Sequence, residues 1–558
     1  MSRIRAVSYA FVVALAVVTY VHDLSSPHIP KNGDEYPYTH ITRLTAASGR
    51  LLPLVSDLPG MRNTKPPLLF WQGIVSTSRG RSFGLWNLRY PSVVYTLLTA
   101  ALLFLLGHRL GASVETGFVG ALAYLAFFTT YRYGRPFLTT APEVFWLFSP
   151  FFALLYWRPV SFASRFVLPA AMGLAVGIAL LYKSFALAVP FGLGLALWYA
   201  HDRGYRPGDF ARKDLGKVVF TVTTALAVFA TWFLLDPDPR AIWEEFVVGE
   251  NVGKLDLAGA YLPGLLWGRF SIPAMALGLV LNAGLLLLPV AALIVSAWRR
   301  RRELSDPEKL LWLWVLTLFV VFCLPSQRSS RYLLPAMPAL AVLLALHWPR
   351  LRRAVVTSTL VLAGLVLAAM VVLSFALKGQ LPGPEPYGSG HWALLLLTAV
   401  ALVFGLLRPA RDPAGVLAAA FLIFLSFSSL LGPLDGPLGR YDETAQRSVE
   451  GRDVWVPVDF IAKEEGYRLL LPGARVRAYR EERDASVEDV LEHHSLAIVR
   501  LRPGDGLGES TRVVVIGERL DLRGRHTGAE IRAMLAGQVF EHLFVREVLV
   551  ERAGGSGL

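Results

Sequence analysis

Apolar runs of about 17 to 25 residues, each bounded by charge or by a Pro or Gly cluster, recur from Ile4 to Leu430. In hydrocarbon such a run satisfies its backbone N–H and C=O groups only as a helix or in a closed barrel, and unbroken apolar runs without alternation read as helices. About thirteen spans result, centred near Ala14, Leu97, Leu122, Leu147, Leu174, Leu195, Ala225, Leu285, Leu316, Val342, Val366, Ala399 and Phe424. The fold class is a polytopic α-helical membrane protein. With 54% of residues hydrophobic and 17% charged, an ordinary soluble domain is excluded. The net charge of +13 does not point to nucleic acid, because the arginines cluster between apolar runs and no basic helix carries interleaved aromatics. Cys323 is the single cysteine, so no intrachain disulfide forms. The first twenty residues have a basic start but no small-residue cleavage site, and read as an uncleaved first helix.

Orientation follows from the positive-inside rule. With the N-terminus inside, the inner loops hold Arg3 and Arg5, His108 and Arg109, Arg158 and Arg165, "RGYRPGDFARKD" (203–214), "RRRR" (299–302), "PRLRR" (349–353) and "RPARD" (408–412). Every inner loop is then basic. An odd number of spans places both the long first loop, 22–85, and the C-terminal segment outside. The expected domains are 1–432 in the membrane and 433–558 as a small soluble α/β domain. Short β-like runs, "LAIVRL" (496–501) and "TRVVVIG" (511–517), support the second, and so does a capping box of Thr527 and Glu530 before an amphipathic helix.

Basic residues on the outer face need a reason other than insertion. They are Lys65, Arg132, Arg135, Lys183, Lys254, Arg328 and Arg331, each at the outer mouth of a span. Gathered around one cavity, they suit an anionic lipid head group, since Arg and Lys bind phosphate by charge-assisted hydrogen bonds. Taken one at a time, each also reads as a side chain snorkelling at a helix end.

The outer carboxylates lie in "NGDEYPYTHITRL" (32–44). Asp34 and Glu35 begin a segment whose apolar positions Ile41, Leu44 and Ala47 have helical spacing, which predicts a short interfacial helix. A carboxylate there either caps the helix and complements its dipole, or orients or deprotonates an acceptor beside a bound phosphate. Spacing does not choose between them, nor between Asp34 and its neighbour Glu35.

The stretch "DEYPYTHITRLTAASGRLLPLVSDLPGMRNTKPPLLFW" resembles the first external loop of the membrane glycosyltransferases of GT-C fold that include the lipid A aminoarabinose transferases and, more distantly, the protein O-mannosyltransferases. The likeness continues through "LRYPSVVYTLLTAALLFLLG", "GLAVGIALLYKSF", "FVVGENVGKL" and "RYLLPAMPALAVL", in order across most of the membrane part. It implies transfer of a sugar from a polyprenyl-phosphate donor, with inversion at the anomeric carbon, to lipid A, another envelope glycan or a protein on the periplasmic face of a bacterial inner membrane. Asp34 matches the family's catalytic carboxylate and Lys65 its phosphate-contacting lysine. Lys254 matches a basic position before the eighth span, and Tyr332 the tyrosine of a Tyr-x-Leu-Pro motif. Arg331, Arg135 and Lys183 complete the expected donor-phosphate set.

The chain departs from the family where a second acid is usual: "LTTAPE" has Thr140 there, with Glu143 one helical turn on as the acidic substitute. Arg62, Asn63 and Thr64 replace an aromatic and an acidic residue, and Gly249, Glu250 and Asn251 replace a His-rich segment. A phosphate acceptor needs little deprotonation, so one carboxylate suffices for it. The alternatives are a transporter or flippase for a lipid-linked anion, which would show inverted repeats and mid-membrane charge, and an inactive binding protein, which Thr140 keeps open. No Gly-rich phosphate loop for a nucleotide sugar occurs, and no cofactor is expected. His40, His391, His493 and His494 lack metal-ligand spacing, although a divalent metal stays compatible with the sequence.

Overall fold

The computed structural model describes residues 2–158, 163–251, 253, 261–382, 385–407, 412–480, 487–507, 513–524 and 526–553, without the side chains of 262 and 263. All of the expected span centres lie in helical segments. Among the described residues seven helices are long and apolar enough to cross a membrane, or eight if Ile272–Leu281 and Gly284–Arg299, which meet at 104°, form one broken span. The shortfall has a local cause. Several centres lie in helices of only 13 to 17 residues, such as Val114–Ala126, Thr140–Tyr156 and Val167–Tyr182, short of the roughly 20 that bridge the hydrocarbon.

By packing, the chain divides into one unit of residues 1–24, 41–364 and 401–422, and a second of 25–40, 365–400 and 423–558. This division differs from the expected boundary at 432/433. Residues 25–40, from the first loop, group with the C-terminal segment.

In the first unit the run Ser330–Arg350 is central and largely buried, whereas Arg3–Val21 is mostly exposed. It starts as a tight 3-10 turn, Ser330–Ala336, and continues as the helix Met337–His347. Phe151 anchors the core beside it, with its ring 4.1 Å from Trp314 and 4.6 Å from Trp198. Both indoles find acceptors, Trp314 on the Pro335 carbonyl and Trp198 on that of Leu310, each at 3.0 Å. Gly173 and Gly177 let Val167–Tyr182 press against Leu215–Leu235, where added Cβ atoms would lie 2.6 Å from Thr224 and 2.5 Å from Val228. Large apolar side chains such as Val219 and Leu234 are exposed on that helix's other face, as a lipid-facing surface requires.

The second unit carries a five-stranded sheet, β1 (Asp453–Val458), β2 (Arg475–Arg480), β3 (Leu496–Leu501), β4 (Val513–Leu522) and β5 (Phe544–Arg552), in the order β2-β1-β3-β5-β4. Strand β1 pairs parallel with β2 and β3, while β5 runs antiparallel to β3 and β4. The "LAIVRL" run is β3. Inward-facing Val454, Val456, Ile498 and Leu549 pack under Tyr441 and Tyr467 on one face, and Ala497, Val499, Val548 and Val550 pack with Val490 and Leu491 on the other. Thr527 and Glu530 form the expected capping box on the helix Gly528–Leu535. The chain is therefore a multi-pass membrane protein with an α/β C-terminal region.

Charge is buried in this second unit. Glu547 of β5 is fully buried and accepts from Arg519 at 2.6 Å, Tyr467 at 2.7 Å and Arg500 at 2.9 Å. Burial alone would raise the Glu547 carboxyl, but Arg519 and Arg500 outweigh it and hold it below the usual range. Asp521 is likewise held low against burial, by Lys31 and Arg519. Burial pushes the His28 imidazole down to about 4, with Asp521 opposing in part. An unfolded chain binds protons at His28 near pH 6.5 and at carboxylates near pH 4, before the folded unit does. Stability therefore falls on acidification, from about pH 6.5 to 4 through His28 and below about pH 4 through the carboxylates. Hydrogen exchange of β3 and β5 in the full chain, corrected for intrinsic rates, should show protection falling from pH 7 to pH 4. At pH 7 the Glu547→Ala variant, which removes the nearest counter-charge of the buried Arg519 guanidinium, should cost about 3 kcal/mol by the same measurement.

Candidate active site

Two groups of predicted residues are considered, one in each unit. In the first unit Lys65 precedes Pro66 and Pro67, which open the helix Leu68–Ser76. Its Nζ donates to the Thr64 carbonyl at 2.8 Å and pairs with Glu250 at 3.1 Å. Glu250 comes from a wide π-helical segment, Ile242–Asn251, of a kind that often marks functional positions. The same segment gives Glu245, which accepts from the Asn63 N–H at 2.8 Å, and Asn251, which accepts from the Ser184 hydroxyl at 2.6 Å.

Lys183 stands where the helix Val167–Tyr182 ends, its own N–H closing the last turn onto Ala179 and Leu180. The Ser184 side chain then caps the following short turn. The Lys183 Nζ pairs with buried Glu143 at 3.0 Å, and the charges of Arg331 and Lys65 both act on it. Next to it in the chain, the Tyr182 hydroxyl donates to Gln72 on Leu68–Ser76 at 3.0 Å and lies 3.3 Å from the Tyr95 hydroxyl. Arg331, in the 3-10 turn, stacks its guanidinium 4.8 Å from the Tyr133 ring, and Tyr332 lies half-buried with its ring 5.8 Å from that of Phe322. The fold thus brings Lys65 and Arg331 each within electrostatic reach of Lys183, with two carboxylates paired to the lysines. Such a cluster can take an anionic group, each lysine being oriented by the carboxylate it pairs with.

Other predicted residues are placed differently. Arg135 is fully buried, donates to the backbone carbonyls of Tyr20 and His22, and stacks 4.6 Å from the Tyr131 ring; it ties backbone together. Arg328 donates to the carbonyls of Cys323, Gly264 and Phe270. Lys254 lies outside the described residues. Thr140 opens the helix Thr140–Tyr156 as a buried residue whose hydroxyl has no partner among the described residues, while Glu143, one turn on, pairs with Lys183. Glu245 and Glu250 were not singled out by their chemistry; the acid-rich "WEEFVVGEN" (243–251) was the available signal.

In the second unit Asp34 and Glu35 stand at the start of the helix Glu35–Ala47, Asp34 half-buried and Glu35 buried. An Asx turn shapes the approach: the Asp34 N–H donates to the Asn32 side chain at 3.1 Å, and the Glu35 N–H to the Asn32 carbonyl at 3.0 Å. The helix is not the one-sided interfacial helix that Ile41, Leu44 and Ala47 predicted. Residues 37–42 are all buried and Ala47 is exposed, because threonine and histidine side chains on the nominally polar face are enclosed as well. Among the described residues no group of three or more His, Cys, Asp or Glu gathers as a metal site.

The fold is shared with a solved membrane protein. A crystal structure of ArnT from Cupriavidus metallidurans bound to undecaprenyl phosphate superposes with a TM-score of 0.64 at 17% identity, covering 98% of this chain and 99% of that one. In sequence, the family Dolichyl-phosphate-mannose-protein mannosyltransferase matches residues 30–237. The undecaprenyl phosphate-alpha-4-amino-4-deoxy-L-arabinose arabinosyl transferase 1 of Sodalis glossinidius is 29% identical over 65% of this chain and 64% of its own length. The corresponding transferase 2 of Proteus mirabilis is 26% identical over 68% of both. The match thus spans about two thirds of these relatives. The chain shares the fold of that ArnT structure and is similar in sequence to these transferases over part of its length.

Removing one partner of the Lys183–Glu143 pair should show how far it supports the helix break. Lys183→Met, which strands a buried carboxylate, should cost about 3 kcal/mol in thermal unfolding of the detergent-solubilised chain. The double variant K183M/E143L should recover most of that loss.

Proposed function

We propose that this protein is an inverting glycosyltransferase that moves a sugar from a polyprenyl-phosphate donor to lipid A at the periplasmic face of a bacterial inner membrane. The convergence of Lys65, Lys183 and Arg331 in a GT-C fold carries the reading. The relatives' names supply the donor and sugar classes, undecaprenyl phosphate and 4-amino-4-deoxy-arabinose. Basic inner loops support the orientation.

In the reaction an acceptor oxygen forms a bond to the anomeric carbon from the face opposite the donor phosphate, and the bond from that carbon to the phosphate oxygen breaks. The electron pair leaves with the polyprenyl phosphate. Lys65, Lys183 and Arg331 neutralise the charge that grows there, a task for fixed cations in a site shielded from water. Asp34 orients the acceptor or takes its proton, and Glu35 supports the turn; Tyr332 lines the donor pocket. A lipid A phosphate as acceptor is already ionised, which fits a chain with Thr140 where the second acid of relatives stands. Glu143, engaged by Lys183, acts as a charge partner and not as a base.

Purified parent, Asp34→Asn and Lys65→Ala chains, given an undecaprenyl-phosphate aminoarabinose donor and lipid A, test the assignment. Asp34→Asn should lower kcat by about 10²-fold or more with donor binding retained. Lys65→Ala should raise the donor KM by about tenfold. Parental transfer by Asp34→Asn would remove the carboxylate from the mechanism, and an unchanged KM in Lys65→Ala would remove the lysine from the donor site.

A further inference from the structure

The turn that presents Asp34 is held from both sides by the α/β region, and this has a consequence for transfer. Three residues before Asp34, the Lys31 Nζ lies 3.4 Å from an Asp521 oxygen on β4, and the His28 Nδ1 lies 3.7 Å from the same atom. Asp521 is in turn fixed by Arg519 at 3.8 Å, whose guanidinium is locked on the buried Glu547. Six residues after Asp34, the buried His40 ring pairs through Nδ1 with Glu465 at 2.8 Å, a carboxylate that also holds Arg468 at 3.4 Å.

Between these two anchors the backbone is packed directly on the same region. A Cβ added at Gly33 would lie 3.2 Å from the Phe460 ring, and one added at Gly466 would lie 3.0 Å from the Tyr36 ring. A side chain larger than that of glycine at position 33 would therefore press on the Phe460 ring. Ser26 adds a hydrogen bond to Asp435 at the start of the segment.

A turn free in solution would sample many orientations, whereas a reacting carboxylate must stay within a fraction of an ångström of its productive position. Asp521, His40 and Glu465 are buried, and buried polar pairs fix geometry better than they add stability, since each group loses its water on burial and finds its partner only in one arrangement. We infer that the α/β region is a positioning device for the Asp34 turn, with Asp521 and Glu465 as positioning residues that act through Lys31 and His40. The inference rests on the reading of Asp34 as the reacting carboxylate.

The test uses the full chain in detergent with the undecaprenyl-phosphate aminoarabinose donor. Lys31→Met and His40→Gln each remove the loop side of an anchor and leave the pairs internal to the α/β region intact, so folding is retained. Each should lower kcat by about tenfold or more with the donor KM within about twofold of the parent, and speed hydrogen exchange over residues 32–40. Lys31→Arg should restore kcat, and the double variant K31M/D521N should be no slower than Asp521→Asn alone, because both substitutions break one link. Parental kcat in both loop variants, alongside an inactive Asp34→Asn chain, would overturn the inference while leaving the proposed function standing. Transfer by Asp34→Asn would instead remove the catalytic reading of Asp34, and exchange over 32–40 would then decide the anchoring alone: faster in Lys31→Met upholds it, unchanged overturns it.

Discussion

Backbone hydrogen bonding in hydrocarbon governs this molecule more than any side-chain contact does. A helix that satisfies its own N–H and C=O groups crosses lipid with apolar side chains outward, and any interruption must be repaired by protein. The interruptions are where the chemistry-bearing residues of the membrane unit stand. Lys183 ends a helix whose last carbonyls its own N–H closes, Arg331 sits in a 3-10 turn, and Glu250 and Asn251 end a π-helical segment. At such breaks polar side chains are already required to satisfy the backbone.

The same logic explains why cations and carboxylates occur together. An ammonium group brought out of water in a bundle needs a counter-charge, and Lys65 and Lys183 each have one within about 3 Å. Pairing keeps each lysine pointed in one direction. Arg135 and Arg328, drawn from the same short list, instead spend their donors on carbonyls at the ends of helices. Sequence position at the mouth of a span does not separate these two uses, because both arise from the same need to satisfy polar groups at a helix end.

In the second unit the sheet is built by ordinary alternation, yet Glu547, Arg519 and Asp521 lie within it. Apolar residues of similar volume would pack as well there. Their arrangement reaches the first-loop segment through Lys31 and His28, so the network joins stretches of chain almost 500 residues apart in sequence. Residues 25–40 belong with this region by packing even though they follow the first span directly.

What the sequence by itself determined was the class of fold, the C-terminal α/β region with its strand "LAIVRL" and its Thr527 capping box, and a short list of cations and carboxylates near the ends of apolar runs. Those features are local: run length, alternation, capping and charge placement depend on neighbours in the chain. Tertiary structure alone decided that Lys65, Lys183 and Arg331 converge while Arg135 binds backbone, that Glu250 and Glu143 are the lysines' partners, and that several apolar runs form short or bent helices. It also decided that the Glu35–Ala47 helix is enclosed on its polar face, where hydropathy placed one apolar stripe. Each of these depends on which distant segment packs opposite, and a periodicity read along one segment carries no information about its partner.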